Sequence, residues 1–133
     1  MTALYAGILG LLYVYLALRV VKLRFKYQVG IGHGGNDELE RMIRVHANFI
    51  EYVPLALILL FLLETNDYAP WFIYCLGDLL IVGRCLHMVG LARQSGVSKF
   101  RTYGMLITFT MMMIASVCLV SSGLLGFVEY VSR

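Results

Sequence analysis

The chain has 133 residues, 60% hydrophobic and 14% charged, with a mean hydropathy of +0.79. A soluble domain of this size carries about a quarter charged residues, so the composition excludes a soluble globular protein and points to one integral to a membrane. A net charge of +3 on so little water-exposed chain also excludes a nucleic-acid-binding surface.

The opening stretch "MTALYAGILGLLYVYLALRVV" lacks the basic start of a signal peptide and is long enough to span a bilayer. It predicts a first helix kept in the protein, apolar over 3–21. The loop 27–37, "YQVGIGHGGND", carries four glycines and ends in a helix-starting Asn36-Asp37-Glu38. The second apolar run, 49–63, is short against the roughly 20 residues of a span. It reaches that length only if "ERMIRVHANFIEY" (40–52) belongs to the same helix. The turn "ETNDYAP" (64–70) puts Pro70 in the first turn of a third helix over 70–91. "RQSGVSKFR" (93–101) leads into a fourth over 104–128. Cys75, Cys85 and Cys118 all lie in apolar stretches; an odd count with no close pair reads as buried hydrophobes rather than a disulfide or metal site. The expectation is an all-α membrane protein, a single domain over 1–133, built as a four-transmembrane-helix bundle with no metal.

Loop charge orients the bundle. Lys22, Arg24, Lys26, Arg41 and Arg44 flank the first loop, and Arg93, Lys99 and Arg101 the third, whereas the second offers only Glu64 and Asp67. The positive-inside rule therefore puts loops one and three in the cytoplasm and both termini outside. The start of helix two, the end of helix three and the start of helix four then meet on the cytoplasmic side.

Those three stretches carry the unusual polar residues. At 100° per residue, Arg41, Arg44, Asn48 and Glu51 share a stripe about 80° wide, with Tyr52 beside Arg44 and Asn48. Ionisable groups at membrane depth face a protein interior or a wet cavity and mark function. The competing reading is a solvated helix end whose arginines snorkel and pair with glutamate. The solvated reading is preferred for Glu40 and Arg41, the functional one for the deeper Asn48 and Glu51. Pro54 withdraws the amide partner of the Ile50 carbonyl and predicts a bend. On helix three, Arg84, His87 and Leu91 share a face, while Asp78, six residues from Arg84, points elsewhere and has no evident partner. Arg101 reads either as an interfacial cation or as the cation of an active site. Together these groups suit a small zwitterion with two carboxylates and an amine, the arginines forking the carboxylates and Glu51 taking the ammonium.

"ERMIRVHANFIEYVPLAL" resembles the helix-two motif of the MAPEG family, the membrane-associated proteins in eicosanoid and glutathione metabolism. The pattern E-R-x-x-R-x-x-x-N-x-x-E-x-x-P is matched by Glu40, Arg41, Arg44, Asn48, Glu51 and Pro54. "KLRFKY", "GRCLHMVGL" and "FRTYG" extend the resemblance over nearly the whole chain, and the short bacterial members are the most similar. The resemblance implies a homotrimer that holds glutathione between subunits on the cytosolic side, in a bacterial inner (cytoplasmic) membrane. It implies that Arg44, Asn48, Glu51 and Tyr52 bind glutathione, with Arg84 and His87 from helix three and Lys22 or Arg24 from helix one. Arg101 matches the arginine that holds the glutathione thiolate. A tyrosine common near the end of helix three is Leu91 here.

Three functions are weighed. The leading one is a membrane-bound glutathione transferase or peroxidase acting on hydrophobic electrophiles or lipids. The second is a non-catalytic glutathione- or lipid-binding protein of the same family. The third is a haem-binding electron carrier with His46 and His87 as axial ligands, which the crowd of arginines disfavours.

Overall fold

The computed structural model describes residues 1–93 and 98–132, with the backbone alone at Arg93. The central residues of the third loop, and with them the side chain of Arg93 used to orient the chain, lie outside the described residues. Four helices run in order: α1 (Thr2–Tyr27), α2 (Asp37–Thr65), α3 (Pro70–Arg93) and α4 (Lys99–Val131). At about 1.5 Å per residue each exceeds the roughly 30 Å of a hydrocarbon core, and all four are apolar enough to cross it. The protein is an all-α, four-helix membrane bundle.

The polar opening of α2 is helical, as its length requires. Asn36 caps the helix: its Oδ1 accepts from the amides of Glu38 (3.1 Å) and Leu39 (3.2 Å). Asp37, Glu38 and Glu40 place negative charge against the positive end of the helix dipole. α2 continues through Pro54 as a single helix. α1 stops at Gln28 in the left-handed conformation, where the Val29 amide returns to the Arg24 carbonyl at 3.0 Å. The Arg24 guanidinium then donates to the carbonyls of Gly30 (3.0 Å) and Gly32 (3.1 Å). The glycines at 32, 34 and 35 all have positive φ, which a side chain would resist.

α2 is the hub: it packs against α1, α3 and α4, while α3 and α4 form the most extensive pair. Spacings of three and four residues place the buried side chains along each helix. Leu9, Leu16 and Leu23 recur every seventh residue on α1; α2 contributes Phe49, Val53, Ala56, Leu60 and Leu63. The opposite faces are apolar and open, with Leu11 77% and Leu125 71% exposed. A soluble protein does not leave such faces bare; a bilayer covers them. Cys75 is one of these exposed groups, not the buried hydrophobe expected, while Cys85 and Cys118 are half-buried and all three are free.

Two polar contacts organise the end of the bundle near the second loop. Asp78 has a partner after all: the Tyr5 hydroxyl, on α1, lies 2.9 Å from its Oδ1 and 2.9 Å from the Tyr74 carbonyl. Gly77 makes room for this, since a Cβ there would lie 2.3 Å from the Tyr5 ring. Glu64, at the end of α2, accepts the Thr2 amide at 2.6 Å and so caps the start of α1.

The α3–α4 seam is built on small residues. A Cβ on Gly104 would lie 2.4 Å from the His87 amide nitrogen and 2.7 Å from the Gly83 carbonyl. One on Gly90 would lie 2.5 Å from the Arg101 nitrogen, and one on Gly83 2.6 Å from Thr108 Oγ1. Backbones meet here because no side chain stands between them.

Candidate functional site

At the other end of the bundle a cleft of about 480 Å³ opens between the start of α2, the end of α3 and the start of α4. α2 supplies Asp37, Glu40, Arg41, Arg44 and Asn48; α3 supplies His87 and Leu91; α4 supplies Arg101. Three guanidinia, an amide and an imidazole thus face one hollow, with two carboxylates at the opening turn of α2. The glycine seam explains why Arg101 and His87 belong to the same site: contact of α4 with Gly90 and His87 sets the first turn of α4 beside the last turns of α3.

Below Asn48 lies Arg84, only 2% exposed. Its Nη1 donates to Asn48 Oδ1 at 3.0 Å, and its Nε and Nη2 donate to Thr108 Oγ1 at 3.0 and 2.7 Å. Tyr52 covers the guanidinium from a ring centre 5.2 Å away and itself leans on Phe109 at 5.4 Å. The Thr108 hydroxyl in turn donates to the Gly104 carbonyl at 2.9 Å. Among the described residues no carboxylate pairs with Arg84.

Of the residues expected at the site, Arg44, Asn48, His87 and Arg101 line the cleft together. Glu51 stands next to it, exposed, with Oε1 4.0 Å from Arg44 Nη2 and Oε2 3.5 Å from Asn48 Nδ2. Tyr52 and Arg84 form the layer beneath. Lys22 and Arg24 lie away from the cleft: Lys22 is exposed on α1 and Arg24 is tied into the first loop.

Glu40 and Arg41, read as a solvated helix end, also border the cleft: Glu40 is exposed, while Arg41 is half-buried, its buried Nε without a hydrogen-bond partner among the described residues. Their position on the Arg44–Asn48 side of α2 was the available signal. Thr108 was not anticipated, although its spacing of four from Gly104 puts it on the seam. His46 and His87 face different helix interfaces: His46 stacks on Tyr13 of α1, ring centres 5.1 Å apart, whereas His87 faces the cleft. Among the described residues no group of three His, Cys, Asp or Glu side chains could hold a metal ion.

Comparison with known proteins agrees with the helix-two motif. The model of the MAPEG family matches residues 2–121. The chain is 36% identical over 108 residues to "Inner membrane protein YecN" of Escherichia coli (strain K12), covering 81% of each chain. It is 34% identical over 107 residues to "Microsomal glutathione S-transferase 2" of Homo sapiens, covering 74% of this chain and 69% of the human one.

Proposed function

The chain belongs to the MAPEG family, and from that membership we propose that it is a membrane-bound glutathione transferase or peroxidase, working as a homotrimer in the inner membrane with its cleft toward the cytoplasm. The observation that carries the reading is the charge layout of the cleft. Arg41, Arg44 and Arg101 face it with Asn48 and His87, and Asp37 and Glu40 stand at its edge. Glutathione offers the complement: two carboxylates for guanidinium forks, one ammonium for a rim carboxylate, and a thiol. The names of the two relatives, one an inner membrane protein and one a glutathione S-transferase, support the same reading.

Arg101 is the group that activates the thiol. A free thiol with a pKa of about 8.5 is mostly protonated at neutral pH, and a guanidinium beside it favours the thiolate, which is the nucleophile. In conjugation the sulfur forms a bond to an electrophilic carbon and the leaving group departs with its electron pair. In peroxide reduction the thiolate attacks the terminal oxygen of a hydroperoxide and the O–O bond breaks. The alkoxide takes a proton to become the alcohol, and a second glutathione converts the sulfenic acid to disulfide and water. An apolar groove of about 460 Å³ along Met105, Leu106 and Phe109 also ends at Arg101, a path for a substrate arriving from the bilayer. Lys22 and Arg24 would reach the ligand only from a neighbouring subunit, which is the role the trimer gives them.

Titration of the detergent-solubilised protein with glutathione tests the site, and its mass in solution tests the trimer. Conjugation of a chloronitrobenzene then separates enzyme from binder. The expected result is glutathione binding and a turnover that falls about 10²-fold in Arg101→Ala. Turnover unchanged in that variant removes Arg101 from the thiolate. Binding without turnover in the wild type leaves the non-catalytic protein instead.

A further inference from the structure

Arg84 raises a question that glutathione binding alone does not answer. It is a cation inside the bundle, yet its guanidinium is not on the cleft wall. Burying a charge without a counter-charge is costly, so its surroundings must fix it closely, and they do. Thr108 Oγ1 accepts from both Nε and Nη2 while its only hydrogen goes to the Gly104 carbonyl. The hydroxyl is therefore held with its acceptor side toward Arg84. Nη2 also lies 3.5 Å from Met105 Sδ. One guanidinium edge remains, and Nη1 gives it to Asn48 Oδ1 at 3.0 Å.

A guanidinium has donors and no acceptor, whereas an amide has one of each face. Asn48 can meet Arg84 only through its carbonyl oxygen, so its NH₂ faces the other way. Nδ2 indeed lies toward Glu51, 3.5 Å from Oε2, and Asn48 borders the cleft. A flip of that amide would set hydrogens against hydrogens on a buried cation.

We infer that Thr108 and Arg84 are positioning residues that lock the Asn48 amide with its oxygen inward and its hydrogens outward, toward Glu51 and the cleft that Asn48 borders. This makes Asn48 a donor-only contact, selective for a carboxylate or carbonyl oxygen of the ligand and hostile to an ammonium. The inference rests on the reading of the cleft as a glutathione site and deepens it. Arg84 acts through Asn48 rather than by touching the ligand, and Thr108 acts through Arg84.

The test is glutathione titration of the full chain in detergent, paired with thermal unfolding of each variant without ligand. Thr108→Val keeps the shape and removes the acceptor; glutathione binding should weaken about tenfold, the scale of a lost hydrogen bond to a charged group. Thr108→Ser should restore it. Asn48→Asp supplies the second arm. It still offers Arg84 an oxygen and should unfold no earlier than wild type, yet it turns an acceptor toward the ligand and should lose glutathione binding. Wild-type affinity in Thr108→Val or in Asn48→Asp overturns the inference, as does a loss that Thr108→Ser fails to restore. If Thr108→Val does not fold, Asn48→Asp decides. If the wild type itself binds no glutathione, the glutathione reading falls, and the inference falls with it. Wild-type binding with an indifferent Thr108→Val removes the inference alone.

Discussion

Gly104→Ala probes the link between packing and site most directly. A Cβ at that position would sit 2.4 Å from the His87 nitrogen, 2.7 Å from the Gly83 oxygen and 2.8 Å from the His87 Cα. All three are backbone atoms, so no side chain can swing aside. Ordinary contact needs about 3.5–4.0 Å between such atoms, and α3 and α4 must part by about 1 Å along their most extensive interface. Overpacking of that kind costs about 1–3 kcal/mol. The displacement falls on His87 and on the turn carrying Arg101, both on the cleft wall, so glutathione affinity should fall along with stability. Gly123→Ala is the internal control. It lies in the same helix with nothing within 4 Å of its added Cβ, and alanine there should stabilise by about 0.5–1 kcal/mol. Thermal unfolding in detergent, read by circular dichroism, and glutathione titration give both quantities. A Gly104→Ala protein that melts and binds like the wild type would refute the close seam and its role in building the site.

Two further outcomes are expected. Tyr5→Phe removes the hydroxyl bonded to Asp78 and should lower stability by about 1–3 kcal/mol; glutathione affinity should be unchanged, because Tyr5 and the cleft lie at opposite ends of the bundle. Asn36→Ala removes the cap of α2 and should cost about 1 kcal/mol. It should also weaken glutathione binding modestly in titration, since Asp37, Glu40 and Arg41 occupy the first turns that would fray.

How much of this was legible in the sequence depends on the range of the interaction concerned. Four long apolar segments follow from local composition, and so does the inclusion of "ERMIRVHANFIEY" in α2, because 49–63 alone is too short. The Arg44–Asn48–Glu51 stripe follows from the helical period. The partner of Asp78 does not, because Tyr5 stands 73 residues away and only the placement of α1 against α3 brings the two together. Nor does the cleft beside Glu40 and Arg41: on α2 alone they are at a solvated helix end, and α3 and α4 supply the rest of the cleft that they border. The seam had a local trace in Gly83 and Gly90, seven apart, and in Gly104 and Thr108, four apart. That spacing says a face is small without saying which helix will press on it.

The charges at this end of the bundle are sorted by depth, and the sorting has a consequence for how a zwitterion would lie. Among the described residues the buried charge is Arg84, a cation, while the carboxylates of Asp37, Glu40 and Glu51 are all exposed. Coulomb interactions strengthen as water is excluded, so Arg84, buried beneath Asn48, weighs more than the acids do at the cleft's edge. Above it, Asn48 offers hydrogens, and the half-buried Arg41 has a buried Nε without a partner among the described residues. An anionic group gains most by going deep and an ammonium by staying shallow. On the proposed glutathione reading, the same field would draw a thiolate toward the cations and leave the ammonium near the acids of the edge.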